Sequence, residues 1–324
     1  MYDTYDVVSR RRIGAQGLSF LRACGLQAQE DAEITLQLWQ GEQLVASASL
    51  DRNVIKYVAC DEAHRGEGLI ARVVSLLISE AAARGRTQLF LFTKEEKAPL
   101  FASLGFMPLC SYAGATLLER GGGLAAWLRT LHAPKGVNGA IVMKCDPVTL
   151  GHLHLIEYAA AQVDHLHIFA LKEDTTHFPA AVRESMLRVA TAHLPHVTVH
   201  PGSDYVISHA TFPMYFLGEN DDRTRVQAGL DATLFAAHIA PALHITRRFA
   251  GEEPFSPTTS TYNRALCEVL PAHGIDMTII PRLTQAGEAI SASRVRALLH
   301  SGDIAAAQAL TPPAVWPFFK EETP

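Results

Sequence analysis

Two short stretches carry residues that could hold and activate a phosphate. The first, Thr149-Leu150-Gly151-His152, comes just after the apolar run Ala140-Ile141-Val142-Met143 and the turn residues Asp146-Pro147. Beyond it Leu155, Ile156, Ala159, Ala160 and Val163 recur at helical spacing. The order is strand, loop, helix, so Thr149, Gly151 and His152 fall where the loop enters the helix. Backbone N–H groups and the positive end of the helix dipole face outward there, and the guest that suits them is an anion such as phosphate. A Gly-His pair at an ordinary helix start accounts for the same letters. The second stretch is Ile290-Ser291-Ala292-Ser293-Arg294-Val295-Arg296. Ser291 suits an N-cap, and Val295, Leu298 and Leu299 give the helix behind it an apolar face. Alone it reads as a capped surface helix. Beside the first stretch it supplies two hydroxyls, helix N–H groups and a guanidinium for the same kind of ligand.

Together the two stretches resemble the nucleotidylyltransferase superfamily, where motifs of these types follow the first and last strands of one α/β segment. The resemblance implies attack on the α-phosphate of ATP, with Mg2+, and release of pyrophosphate. It implies that His152 contacts the phosphates, that Gly151 lets them approach the backbone and that Thr149 supports the same group. By the same comparison Ser291 and Ser293 hold the β- and γ-phosphates and Arg296 neutralises them. Lys172, at the C-terminal end of the strand pattern Asp164–Leu171, joins His152 and Arg296 as a catalytic candidate, although a solvated lysine reads equally well there. Arg183, in the helical pattern Ala180–Leu194, is a further ATP-binding candidate. Gly251, Glu253 and Tyr262 lie in a turn and a Ser/Thr-rich loop where the superfamily holds adenine and ribose; a Gly-Glu turn followed by a packing tyrosine explains them almost as well.

These residues need elements to position them, and composition sets the limits. A chain of 324 residues suits two domains, each able to bury its own core. With 48% hydrophobic and 19% charged residues it reads as globular. A net charge of -5 without a sustained basic run argues against a nucleic-acid partner. No segment reaches the roughly 18 consecutive apolar residues of a membrane span. The N-terminus has no signal-peptide core, so no membrane partner and a cytoplasmic location are expected. The five cysteines are scattered, with no C-x-x-C pair, which favours neither a disulfide framework nor a zinc site. His165 and His167 share one face of a strand pattern, but no third ligand is apparent and no protein-bound metal is expected.

Before residue 132, alternating strand patterns at 33–39, 44–50 and 53–60 lead into Arg65-Gly66-Glu67-Gly68 and an amphipathic helix marked by Leu69, Val73, Leu76, Leu77 and Ala81. A strand at 88–92, a short helix at 100–104 and a closing strand at 105–109 follow. The order resembles the GNAT acetyltransferase family. The resemblance implies that Arg65, Gly66 and Gly68 hold the diphosphate of a coenzyme-A-like group at a helix N-terminus. Phe101 and Lys94 stand where active members often have tyrosine and asparagine, and a phenyl ring cannot act as a general acid. After a linker punctuated by Gly121-Gly122-Gly123 and Pro134-Lys135-Gly136, strand and helix patterns alternate, including strands at 197–200 and 213–218. Such βαβ repetition implies a parallel sheet with ligands at the carboxyl ends of its strands.

The expected fold class is therefore α/β, with an N-terminal GNAT-like α+β domain, residues 1–132, followed by a Rossmann-like parallel-sheet nucleotidylyltransferase domain, residues 137–324. Thr149–His152, Phe178-Pro179, Ala210–Pro213, Glu253–Phe255 and Ile290–Arg296, in this order behind a GNAT-like module, resemble the citrate (pro-3S)-lyase ligase family. That resemblance implies an acid–thiol ligase. It would join acetate to the thiol of a coenzyme-A-like prosthetic group on the acyl carrier subunit of citrate lyase, converting ATP to AMP and pyrophosphate through acetyl-adenylate. Two other activities fit parts of the pattern: an adenylyltransferase making a dinucleotide such as dephospho-coenzyme A, and a GNAT protein acetyltransferase with a nucleotide-sensing domain.

Overall fold

The computed structural model describes residues 5–28, 32–172, 177–208, 222–253, 256–285 and 287–322. They form two compact units, one of residues 5–127 with 222–230, the other of 128–208 with 231–322. Among the described residues no helix is long and apolar enough to cross a membrane.

The first unit is a mixed sheet with helices packed on it. Its elements are β1 (Asp6–Arg10), α1 (Gly14–Ala23), β2 (Ile34–Gln40), β3 (Gln43–Asp51), β4 (Val54–Cys60), α2 (Leu69–Ala83), β5 (Leu89–Lys94), α3 (Ala98–Ala102), β6 (Met107–Tyr112), β7 (Ala115–Arg120) and α4 (Gly123–Leu128). The strand order is β1-β2-β3-β4-β5-β7-β6. Along one stripe of α2, Leu69, Val73, Leu77 and Ala81 are buried, the i, i+4 spacing that lays one helix face on a sheet. The edge strand β1 and the buried β7 were not expected. β1 has no buried residue, so it carries little alternation to read. β7 is buried on both faces and hides a charge: Glu119, 3% exposed, accepts the N–H groups of Gly123 and Leu124 at the start of α4.

One irregularity shapes this sheet. β4 and β5 are parallel but pair only through Val54–Phe90 and Ile55–Leu91. Beyond that point β4 bulges: Tyr57 takes a left-handed φ of 56, and the β3–β4 register shifts between Ser47 and Ser49. A bulge turns a strand and adds twist, so the C-terminal half of β4 leaves β5 unpaired where the chain enters residues 61–68.

The second unit holds β8 (Asn138–Met143), α5 (Leu150–Ala160), β9 (His165–Ala170), α6 (Ala180–Ala190) and β10 (Val197–His200). Next comes α7 (Asp222–Leu234), whose residues 222–230 belong to the first unit; it continues through a π-turn (Phe235–Ile239) into α8 (Ala240–Ala242), and β11 (Ile245–Gly251), α9 (Pro257–Val269) and β12 (Asp276–Ile280) follow. A hairpin of β13 (Thr284–Gln285) and β14 (Glu288–Ala289), then α10 (Ala292–His300), α11 (Ile304–Ala309) and a 3-10 segment (Pro313–Glu322), complete it. The five main strands are parallel in the order β10-β9-β8-β11-β12. The expected Rossmann-like parallel sheet is therefore present. Its order reverses between β8 and β11, and ligands of such sheets bind outside the carboxyl ends at that point.

Two sequence readings change here. The Ser/Thr-rich stretch around Tyr262 is helical, because Ser256 caps α9 by accepting the Thr259 N–H at 3.3 Å and Pro257 supplies a pre-set first turn. Asp222, the last residue of the expected solvated loop Asn220-Asp221-Asp222, is the first residue of α7, and Asn220 and Asp221 lie outside the described residues. The expected strand at 213–218 and the Ala210–Pro213 motif lie outside the described residues.

Candidate active site

β8 delivers the chain to the carboxyl edge, where residues Lys144 to Thr149 turn into α5. Thr149 is the N-cap, 1% exposed, and its Oγ1 accepts the His152 N–H at 3.3 Å. In return the Thr149 N–H donates to His152 Nδ1 at 3.1 Å. A backbone N–H can only donate, so Nδ1 is an acceptor and the ring proton sits on Nε2. Burial, and secondarily the charge of Arg282, push the His152 pKa down to about 4, so the imidazole is neutral. Thr149, an ATP-binding candidate from the sequence, uses its hydroxyl and N–H to fix the His152 ring.

The first turn of α5 is not fully open. The Leu150 N–H is taken by Leu310 O at 2.9 Å and the His152 N–H by Thr149, which leaves the Gly151 N–H without a partner among the described residues. A Cβ on Gly151 would lie 3.4 Å from Ile290 O, in van der Waals contact, so the first motif abuts the start of the second. Ser291 caps α10 by accepting the Arg294 N–H at 3.2 Å. The N–H groups of Ala292 and Ser293 have no partner among the described residues. Arg296 reaches back from the next turn, donating to Ser293 Oγ at 3.0 Å and to the Asp146 carbonyl, with Asp146 Oδ2 at 3.7 Å.

Asp146 was not singled out from the sequence. Its carboxylate, 4% exposed as a residue, accepts the N–H groups of His177 and Phe178 at 3.1 and 2.9 Å. It therefore ties the β8 loop, the entry to α6 and Arg296 together. Arg183, expected among the ATP ligands, is fully buried and donates to the carbonyls of Phe178 and Lys144 at 3.1 and 2.7 Å. The structure places it under the loop rather than at the open edge. Cys145 is equally buried and its thiol is pushed up by burial, so it is an inert neighbour.

Lys172 follows β9 at the same edge, half-exposed, with its ammonium 3.3 Å from Asp204. Gly202 lies against its backbone so closely that a Cβ would fall 2.7 Å from the Lys172 backbone nitrogen. No contact joins Lys172 to His152 or Arg296; it shares their edge only. On the other side, Gly251 ends β11 and its carbonyl accepts Asn263 Nδ2 at 2.9 Å. Glu253 pairs with Arg282, which also donates Nε to Glu252 O at 2.9 Å. Arg282 was not expected; its signal was its place two residues beyond β12. Tyr262 gives its hydroxyl to Asp231 at 2.7 Å, and that buried carboxylate also accepts the Ile207 N–H at 2.9 Å. Burial, then the charge of Asp231, holds the Tyr262 hydroxyl well above its usual range. Arg248 lies 4.9 Å over the Phe235 ring, and its charge reaches both Asp231 and Tyr262. Tyr262 thus anchors α9 to an interior polar group.

In β9 and β10, His165 bonds Thr198 at 2.9 Å and His167 Nδ1 bonds His200 Nε2 at 2.9 Å. No group of three or more metal-ligating side chains occurs among the described residues.

The first unit presents its own candidate. Gly66 and Gly68 take φ values of 91 and 75, backbone that L residues avoid, and Gly68 is the N-cap of α2. Arg65 is largely exposed and pairs with Glu62 at 3.0 Å. Glu67 turns away to Tyr5 and His64. Phe101 is not at a surface: it is 5% exposed and edge-on to Phe106 at 6.5 Å.

The chain is similar to an acyl-CoA N-acyltransferase from Pseudomonas aeruginosa, at 18% identity over 36% of this chain and 99% of that one, with a TM-score of 0.31. A phosphopantetheine adenylyltransferase from Corynebacterium glutamicum is 27% identical over 140 residues, 41% of this chain and 82% of the relative. The citrate lyase ligase C-terminal domain matches residues 138–319. Over 311 residues, 92% of this chain and 88% of the relative, the sequence is 38% identical to the citrate (pro-3S)-lyase ligase of Escherichia coli strain K12. The Klebsiella pneumoniae ligase is 37% identical over 93% of this chain and 91% of the relative. With both motifs set at one sheet edge and likeness running through nearly the whole sequence, the chain belongs to the citrate (pro-3S)-lyase ligase family.

Proposed function

We propose that the chain acetylates the thiol of a coenzyme-A-like prosthetic group on the acyl carrier subunit of citrate lyase, using acetate and ATP. An acetate oxygen bonds to the α-phosphorus while the bond to the β-phosphate oxygen breaks, giving acetyl-adenylate and pyrophosphate. The thiolate then attacks the acetyl carbonyl and AMP departs, its phosphate oxygen taking the electron pair. The observation that supports this most is the set of donors at the β8/β11 edge: the Gly151, Ala292 and Ser293 N–H groups, the His152 Nε2–H and the Arg296 guanidinium. They are pre-set by caps and loops, and preorganised donors are what phosphoryl transfer asks of a protein. Lys172, one strand away, is the cation for the α-phosphate or the acceptor.

The described residues offer no set of three or more carboxylate, histidine or cysteine ligands. Magnesium would accompany the nucleotide and supply charge neutralisation on the phosphate chain. The first unit presents the prosthetic group: Gly66, Gly68 and the N-terminus of α2 receive its diphosphate, with Arg65 beside them. The buried Phe101 supplies no acid there, and none is needed when AMP leaves a mixed anhydride. The test is to incubate the chain with ATP, magnesium, acetate and deacetylated citrate lyase. AMP formation matched by restored lyase activity is expected; an adenylylated product without AMP would overturn the proposal.

A further inference from the structure

We infer that Arg282 is a further phosphate-binding residue of this site, and that Glu253 is the carboxylate that occupies its guanidinium until a phosphate chain arrives. The inference rests on the nucleotide reading above and deepens it. β11 and β12 run parallel with Gly251 opposite Ile280, so Glu253 and Arg282, each two residues farther on, leave the sheet side by side at its carboxyl edge. Both side chains are partly open, 29% and 20% exposed. Arg282 is held by Glu253 and by the Glu252 carbonyl, and its charge is felt by the His152 ring. The guanidinium thus stands at the carboxyl edge beside β11, one of the two strands at which the sheet order reverses, within electrostatic reach of His152.

A half-buried arginine needs a counter-charge, and a carboxylate offers the same two-oxygen geometry that a phosphate offers. Of the acidic groups around the edge, Asp146 is committed to the His177 and Phe178 N–H groups and Asp204 faces Lys172. Glu253 is set on Arg282. When the more highly charged phosphate chain enters, Arg282 exchanges the Glu253 carboxylate for phosphate oxygens, and Glu253 turns to solvent. On this reading Glu253 does not contact adenine or ribose, which separates it from the assignment the sequence suggested.

The experiment is calorimetric titration of the full chain with magnesium pyrophosphate, magnesium ATP and AMP, for the wild type, Arg282→Gln, Arg282→Lys, Glu253→Gln and the double variant, with a thermal melt of each. Loss of one charge-assisted contact should weaken pyrophosphate and ATP binding at least ~10-fold in Arg282→Gln, with Arg282→Lys in between. Glu253→Gln should tighten both, the double variant should bind like Arg282→Gln alone, and AMP should be indifferent to all of them. Unchanged pyrophosphate binding in a folded Arg282→Gln overturns the inference. So does weaker AMP or pyrophosphate binding in Glu253→Gln, an arm that decides even where Arg282→Gln does not fold. A wild type that binds neither pyrophosphate nor ATP overturns the underlying nucleotide reading instead.

Discussion

At the scale of single residues the site depends on one neutral ring. Because the Thr149 N–H donates to Nδ1, the His152 proton is fixed on Nε2 without help from a charge. His152→Ala removes that donor and should lower acetate-dependent exchange of labelled pyrophosphate into ATP by roughly 10²-fold or more, the cost typical of losing a preorganised donor. With a pKa near 4, the ring should add no inflection to the exchange rate between pH 5 and 8, about the range in which an ordinary histidine titrates. Thr149→Ser keeps the cap and should exchange normally, whereas Thr149→Val loses it, at about 1 kcal/mol of stability, and lets the ring turn. Arg296 is the second test. It reaches Ser293 and the Asp146 carbonyl with separate nitrogens of its planar fork, so Arg296→Lys should lose much of the exchange activity and Arg296→Ala more. Equal, near-normal rates in both would mean that α10 is only a capped surface helix.

At the scale of elements, what was legible in the sequence was what local patterns dictate. The strand-loop-helix at β8 and α5, the Ser291 cap and the stripe of α2 are all fixed by residues a few positions apart, and the structure has them. Arg183 was misplaced because its spacing is that of any helical arginine; only the tertiary fold shows it buried beneath Lys144 and Phe178. Arg282 and Asp146 were missed for the converse reason, since each gains its meaning from a partner brought close by the sheet. Phe101 shows how burial changes an expectation. Judged by chemistry alone Phe101→Tyr is harmless, but beside Phe106 a new hydroxyl has no partner. The variant should melt earlier, by about 1–3 kcal/mol of stability, without gaining acetyl transfer from acetyl-coenzyme A. The β9–β10 pair makes a prediction of its own. His167 and His200 are buried against each other, and burial lowers their pKa values to about 3 and 4. The unfolded chain takes up those protons below about pH 6.5, while the folded chain refuses them until much lower pH. Stability from this pair is therefore complete above about pH 6.5 and lost as pH falls toward 4. Melting temperature should drop across that window, and a His167→Gln, His200→Gln chain should drop less steeply.

At the scale of the whole molecule the proposal divides labour between two units. Arg65→Glu reverses charge beside the α2 N-terminus, where a diphosphate is asked to dock, so it should impair reactivation of citrate lyase. Pyrophosphate exchange, the business of the second unit, should be spared; equal loss of both in a folded variant would contradict the division. The first unit has a further peculiarity: it includes residues 222–230, made long after residue 127. Leu230 O accepts the Cys110 thiol at 3.4 Å, and Gly229 lies so near Tyr112 that a Cβ would fall 2.1 Å from its ring. These partners are on β6, the last strand of its sheet. During synthesis the ribosome needs roughly 5–20 s to travel from residue 127 to residue 230 at ordinary elongation rates. For that interval β6 lacks both partners, and an end strand without them is more open to pairing with another nascent chain. Translation speed thus becomes a variable of folding yield: slowing the codons between these points should increase aggregation, and a fragment ended at residue 127 should need the 222–230 peptide in trans to stay in solution.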